Sequence, residues 1–455
     1  MSAAVDRTRP PEGGPLRSFD FPAVERRRLG NGLDLLVARM SRLPMVSVDL
    51  FVRGGEHALR AERAGLAVLA AEALDGGTRR RSGTELAEAL ERIGARLSAQ
   101  AGWEGTTVSL SCLADRLEEA FPLLAEAVTV PDFPPDEVDR AREQRLASIR
   151  QRAMDPAALA SDQAASVYHA PDVPYARPVG GTVDSIGGMG RDTLRGYADA
   201  AYRPVRGGLA VAGDVEPAEV AALAERHLGA WTGAPVEVPD FDVRPATRAR
   251  RVVLVHRPGS VQSEVRVGHV GVERTAEDYF PLTIGNLLFG GTFTSRLNLN
   301  LRERNGFTYG VRSRFFFRSR PGPFEVSTAV GNDVTAPAVR EILAEMERLV
   351  AEGPTPEEVQ ATADFAAGIF GLQLETVDQV ATRLSQLVVY GLPDRYFHEY
   401  RDRIREVELD QVAEAVRRRM RPAEAQIVVV GDADAVGPAL EALEVGPVEV
   451  RGADD

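Results

Sequence analysis

Three short strings recur in this chain in the same order and at nearly one interval, and that repetition constrains its fold more than any other feature. RPVRGGLAVAGDV begins at Arg203 and RPAEAQIVVVGDA at Arg421; each runs from Arg-Pro through an apolar stretch to Gly-Asp, and the two lie 218 positions apart. PDEV at 135–138 returns as PEEV at 356–359, and LDGGT at 74–78 returns as LFGGT at 288–292, at intervals of 221 and 214. Such order implies a duplicated domain, each copy about 220 residues long. The segment TGAPVEVPDFDVRPATRAR is rich in proline and polar residues and suits a linker. The expected organisation is a polar extension over 1–23, a first copy over 24–231, a linker over 232–250, a second copy over 251–445 and a tail over 446–455.

Both copies carry the same pattern. Each opens on apolar strands, GLDLLVARM and MVSVDLFVRGG in the first, ARRVVLVHRP and SEVRVGHVGV in the second. Helical spacing follows in AERAGLAVLAAEALDGG, TELAEALERIGA and LEEAFPLLAEAV, with the strand TTVSLSCLA between the last two. A long amphipathic helix runs from about Pro135 past Arg150. The strand LAVAGD closes the first copy and IVVVGD the second. Antiparallel strands with helices over one face give an α+β chain of two homologous α/β sandwich domains.

Composition narrows the function classes. A net charge of −13 disfavours nucleic acid and anionic membrane as partners. One cysteine, Cys112, excludes a disulfide scaffold. No apolar run reaches the length of a membrane span, and MSAAVDRTRPPEGGPLRSFDFP has no apolar signal segment, so a cytoplasmic location is expected. The histidines at 57, 169, 227, 256, 269 and 398 are scattered without metal-ligand spacing and read as ordinary surface or core residues. GGTVDSIGGMG at 180–190 lacks the Lys-Ser/Thr of a phosphate cradle and reads as a loop. SRFFFRSRPG interleaves aromatics with arginines; in an acidic chain it reads as a strand with exposed ends rather than a nucleic-acid surface.

GLAVLAAEALDGGT at 65–78, LFGGTFTSRLNLNLRERNGFTYGV and the paired RP…GD endings together resemble the M16 metallopeptidases, the group of pitrilysin, insulin-degrading enzyme and mitochondrial processing peptidase. The resemblance runs from about residue 24 to about residue 440. It implies two homologous M16-type domains forming half of a clamshell. Active members carry H-x-x-E-H on a helix, where two imidazoles four residues apart bind one zinc and the glutamate takes a proton from its water. Aligned without a gap, this chain has Val68 and Glu72 at the histidines and Ala71 at the glutamate. The pattern of the third ligand, a glutamate on a later helix, falls on Ala141 and Ser148. No catalytic residue, no metal and no cofactor is therefore expected in this chain, with zinc expected in a partner subunit.

A second constellation of the family survives. Arg302 and Tyr309, seven residues apart in LRERNGFTYGV, match the pair that the family assigns to binding substrate backbone and stabilising charge on the scissile carbonyl. The plainer alternative is that Arg302 pairs with Glu303 on a helix end and Tyr309 packs in a strand. The resemblance implies the noncatalytic subunit of a heterodimeric zinc peptidase, lending Arg302 and Tyr309 in trans to a homologous subunit with intact H-x-x-E-H, and enclosing peptide. A structural scaffold subunit without a role in proteolysis is the competing expectation.

Overall fold

A computed structural model describes residue 14 and residues 18–452. The first copy contributes β1 (Val24–Arg28), β2 (Asp34–Arg39), β3 (Met45–Arg53), β4 (Arg96–Ala101), β5 (Gly105–Leu113) and β6 (Gly208–Gly213). The second contributes β7 (Arg251–His256), β8 (Gln262–Val270), β9 (Val311–Phe315), β10 (Pro323–Gly331), β11 (Gln426–Gly431) and β12 (Val448–Arg451). They form two six-stranded sheets of orders β1-β2-β6-β3-β5-β4 and β12-β7-β11-β8-β10-β9. β2 to β6 and β7 to β11 match in chain order, position and pairing, so the duplication is visible as topology; only the outer strands β1 and β12 differ.

Three features of the strands differ from the sequence expectation. The sheets are mixed: β2 pairs parallel with β6, β7 with β11, and β12 with β7, the other pairs being antiparallel. Each closing strand crosses back beside the first long strand of its own copy, which an antiparallel meander cannot do. β4, RLSAQA, is a sheet edge that the sequence pattern did not reveal. Part of the 446–455 tail is also structured, since Val448–Arg451 pairs with β7 and takes the outer position that β1 holds in the first sheet.

Helices cover more than one face of the central strands. Every residue of β6 and β11 is buried, as their unbroken apolar runs require of strands enclosed on both sides. One covering layer comes from the same copy; the other is exchanged. Helix Pro156–Tyr168 belongs to the first copy by sequence but packs on β11 and β8, where Leu159, Ala164 and Val167 meet Val253, Val255 and Val428. Its counterpart, helix Val377–Val389, belongs to the second copy and packs on β6 and β3 of the first sheet. Close approach needs small residues: a Cβ at Gly208 would lie 2.6 Å from Val388, and one at Gly268 would lie 2.8 Å from the Tyr168 ring.

Polar groups register the exchange. Arg266 of β8, 5% exposed, donates to the carbonyl of Ala157 at 2.9 Å and to Glu264 at 2.8 Å. Asp49 accepts from Ser109 at 2.6 Å while facing Thr382 on the exchanged helix at 3.5 Å, and burial pushes its carboxyl above the ordinary range.

Both tryptophans, Trp103 and Trp231, precede the second copy, which makes the exchange testable. Leu384→Ala, at a fully buried position of helix Val377–Val389, should destabilise by about 2–5 kcal/mol. In urea, tryptophan fluorescence and far-UV circular dichroism should shift their midpoints together. A fluorescence midpoint unmoved by the substitution would show that the copies unfold independently.

Candidate functional site

Helix Leu66–Glu72 starts at Gly65, whose φ of 83° is left-handed and whose missing Cβ would otherwise meet the Gly180 carbonyl at 2.6 Å. The buried Glu56 carboxylate caps this helix, accepting from the backbone amides of Gly65 and Ala67, both at 2.8 Å, and of Val68 at 3.3 Å. Burial pushes the Glu56 carboxyl up to about 7, against the pull of those amides and of Arg177. The N-terminal end of the helix is thus fixed by groups that have no metal-binding function.

Of the positions matching a zinc site, Val68 is half-buried, Ala71 is buried and Glu72 is exposed. Ala141 and Ser148 lie on the long helix Pro135–Met154, Ala141 buried and Ser148 half-buried. Arg145 is four residues beyond Ala141 and three before Ser148, so the three share one helix face. From there Arg145 Nη1 reaches Glu72 at 3.0 Å and Nε donates to the Gly180 carbonyl at 3.1 Å. A Cβ at Gly180 would sit 1.8 Å from the guanidinium, so the glycine-rich loop is shaped to receive it. Of the positions that the resemblance aligns with a zinc helix, Glu72 is held by the Arg145 guanidinium and Val68 and Ala71 are apolar. This donor set does not fit zinc. Among the described residues no group of three or more His, Cys, Asp or Glu side chains is placed to hold a metal ion.

The histidines do other work. His169 and His269 are buried, and desolvation lowers each imidazole to about 4. His269 Nδ1 bonds the Val270 carbonyl at 2.9 Å while Nε2 accepts from the Arg421 amide at 3.0 Å. His57 Nδ1 lies 3.3 Å from Glu104.

Arg302 sits on a π-helical turn, Asn298–Arg304, a wide winding often found at functional positions. Asn298 ties this turn to β9: its Nδ2 donates to the Val311 carbonyl at 2.9 Å and its Oδ1 accepts from the Val311 amide at 3.2 Å. Asn300 anchors the other side, donating to Glu345 at 2.7 Å and to Glu341 at 3.1 Å. The following loop is shaped by Thr308, whose hydroxyl donates to the Ala329 carbonyl at 2.9 Å and accepts from the Gly310 amide at 3.1 Å. Tyr309 projects from this rigid base with 98% of its surface exposed, the opposite of a tyrosine packed in a strand. The Arg302 guanidinium stacks on Phe293, 4.1 Å from the ring centroid, and its Nε is 3.6 Å from Glu303, so the ion pair of the plainer reading is present in loose form.

Phe293 and Tyr309 line a cleft of about 800 Å³ with Thr292, Arg312, Arg314 and Ser327. Tyr309 reaches it directly and Arg302 only through Phe293. The cleft follows β9, the edge strand of the second sheet opposite β12. Because Asn298 takes the amide and carbonyl of Val311 on the side away from β10, the two-residue period turns the backbone groups of Ser313 and Phe315 outward as well. SRFFFRSRPG is a strand only as far as Phe315; beyond it, Phe316 and Arg318 form walls.

Two duplicated sandwiches of one strand order, each covered by a helix of the other copy, and a cleft along an edge strand define a two-domain protein built by duplication. The chain belongs to peptidase family M16: the profile of the insulinase family, M16, matches residues 36–168, and that of the M16 inactive domain matches 188–364. It is similar to an uncharacterized zinc protease of Mycobacterium tuberculosis, 28% identical over 411 residues, 89% of this chain and 93% of that protein. A crystal structure of a peptidase M16 inactive domain from Pseudomonas fluorescens, 24% identical, overlays with a TM-score of 0.84 across 90% of this chain and 98% of that one. The periplasmic protease PqqL from Escherichia coli, 16% identical with a TM-score of 0.77, matches 95% of this chain but 49% of its own.

Purified chain should hold no stoichiometric zinc and hydrolyse no peptide alone, because Val68, Ala71, Glu72 and Ser148 cannot assemble the ligand set. Elemental analysis after extensive dialysis checks this. About one tightly held zinc per chain, lost in Glu72→Gln, would contradict it.

Proposed function

We propose that this chain is the noncatalytic subunit of a heterodimeric M16 zinc peptidase, presenting Arg302 and Tyr309 to substrate and forming half of a peptide-enclosing chamber. The observation that carries the proposal is the pairing of a disabled metal position with a well-built presenting loop: Tyr309 is fully displayed at the mouth of the β9 cleft on a base held by Asn298, Asn300 and Thr308. A tyrosine with only a packing role has no reason to be placed so.

In this reading a peptide adds to the free edge of β9, where backbone bonding gives affinity and the cleft gives preference. Phenol and guanidinium are both donors, and a donor held beside a carbonyl that gains charge contributes about 2.7–4 kcal/mol. The partner is a homologous chain with an intact H-x-x-E-H. That PqqL contains a unit like this one in about half its length supports reading the chain as one half of a larger enclosure. Among the described residues no helix is long and apolar enough to cross a membrane.

Co-expressed with a neighbouring M16 gene product carrying H-x-x-E-H, the chain should elute with it as one complex at micromolar concentration. Separate elution would remove the basis of the heterodimer. In the complex, Tyr309→Phe should leave assembly and metal content unchanged and lower kcat by roughly 10²–10³. Arg302→Ala should lower activity with part of its effect in KM. Unchanged rates in both variants would place the chain in the scaffold class.

A further inference from the structure

A second pocket, of about 560 Å³, continues the β9 cleft and shares Asn286, Leu287, Arg314 and Phe316 with it. Four arginines line it, Arg274, Arg314, Arg318 and Arg383, and no aspartate or glutamate does, in a chain whose net charge is −13. Elsewhere, arginines such as Arg145, Arg296 and Arg419 are matched with the carboxylates of Glu72, Glu358 and Asp278. None of the pocket four forms such a pair among the described residues.

Their partners are neutral. Arg274, 6% exposed, lies 3.8 Å from the Tyr279 ring centroid and donates to the Tyr396 hydroxyl at 2.9 Å. Arg318 stacks on Tyr175 at 4.3 Å and Trp103 at 4.9 Å, and its Nη1 is shut off from solvent with no hydrogen-bond partner. Arg383 bonds only the side-chain amides of Gln386 and Gln373, at 3.3 and 3.1 Å. Glu104, the one carboxylate that acts on Arg318, is spent on the Ser319 amide at 2.9 Å and on the Ser319 hydroxyl, with His57 beside it.

Stacked on a ring face, a guanidinium keeps its fork of N–H donors free at the edge, a geometry that suits a carboxylate in bidentate contact. Leaving such a cation buried and unmatched is costly, and an anionic ligand removes that cost. The geometry points to a carboxylate-binding pocket at the end of β9, in which these four arginines take the acidic side chains or the terminal carboxylate of a bound peptide. The assignment rests on the reading that the β9 cleft holds peptide, and it makes acidic peptides the preferred substrate class. Continuity with the cleft favours a peptide carboxylate over a free anion, and the aromatic walls of Trp103, Tyr279 and Phe316 suit the apolar part of a side chain.

The test uses the whole chain without a partner and without hydrolysis, so its failure leaves the role of Tyr309 in a complex standing. Fluorescence anisotropy compares three short fluorescein-labelled peptides: a glutamate-rich one with an amidated C-terminus, its glutamine counterpart amidated, and that counterpart with a free C-terminal carboxylate. A carboxylate peptide should bind about tenfold or more tightly than the all-amide peptide, as expected of a charged hydrogen bond. Preference for the glutamate peptide assigns the pocket to side chains, and preference for the free acid assigns it to the terminus. Arg318→Gln and the less buried Arg383→Gln should each erase most of the preference. Arg320→Gln, at a nearby arginine paired with Asp240, should retain it. Equal affinity for all three peptides, or a preference that survives in both Arg318→Gln and Arg383→Gln, overturns the assignment.

Discussion

Reciprocal exchange of one helix between the two copies is the constraint on which the rest of the structure depends. Each sheet has an apolar second face at its centre that its own copy leaves uncovered; helix Pro156–Tyr168 closes one and helix Val377–Val389 the other. Burying a leucine or valine is worth about 1.5–3 kcal/mol, so separating the copies would expose several such residues at once. Smaller clamps add direction. Arg53 of β3 donates to the Val388 carbonyl at 3.0 Å, and Glu104 receives the Ser319 amide across the copies. Phe241 and Val243, in the connecting segment, pack on a small cluster with Tyr175. The β9 cleft and the arginine pocket, whose walls include Trp103 of the first copy, are therefore built on a rigid frame.

Helix Leu66–Glu72 is held in place by groups of this chain alone. Glu56 caps its N-terminal end, and Leu66, Leu69, Ala70 and Ala71 are buried along it, so its placement does not rest on Glu72. The Arg145–Glu72 pair sits at the C-terminal end of this helix. Glu72 is 40% exposed, so the pair is worth no more than about 1 kcal/mol of stability. Its weight lies in geometry, since Arg145 also holds the Gly180 loop against the start of the helix.

Much of this was legible in the sequence, and what was not has physical reasons. The duplication and the long strands could be read because apolar periodicity is a local property. β4 was hidden because RLSAQA is an edge strand whose polar and small residues alternate weakly. The helix exchange was hidden because amphipathicity marks a buried face without saying what covers it. The signal for it lay in the unbroken apolar runs LAVA and IVVV within GLAVAG and QIVVVG, destined for burial on both sides. Arg145 reads as an ordinary surface charge until the fold turns it toward Glu72. The interleaved arginines and aromatics of SRFFFRSR stand out in the sequence, but their common pocket with Arg274 and Arg383 is a product of tertiary structure.

The central claim, that this noncatalytic half presents Tyr309 to a peptide, is tested most directly by photo-crosslinking. p-Benzoylphenylalanine placed at position 309 reports what lies beside the side chain in the assembled complex with an isotopically labelled peptide. Mass spectrometry should find position 309 joined to the peptide, with the yield lowered by excess unlabelled peptide. Crosslinks to the partner protein alone, indifferent to peptide, would show that Tyr309 is an assembly contact and contradict the account.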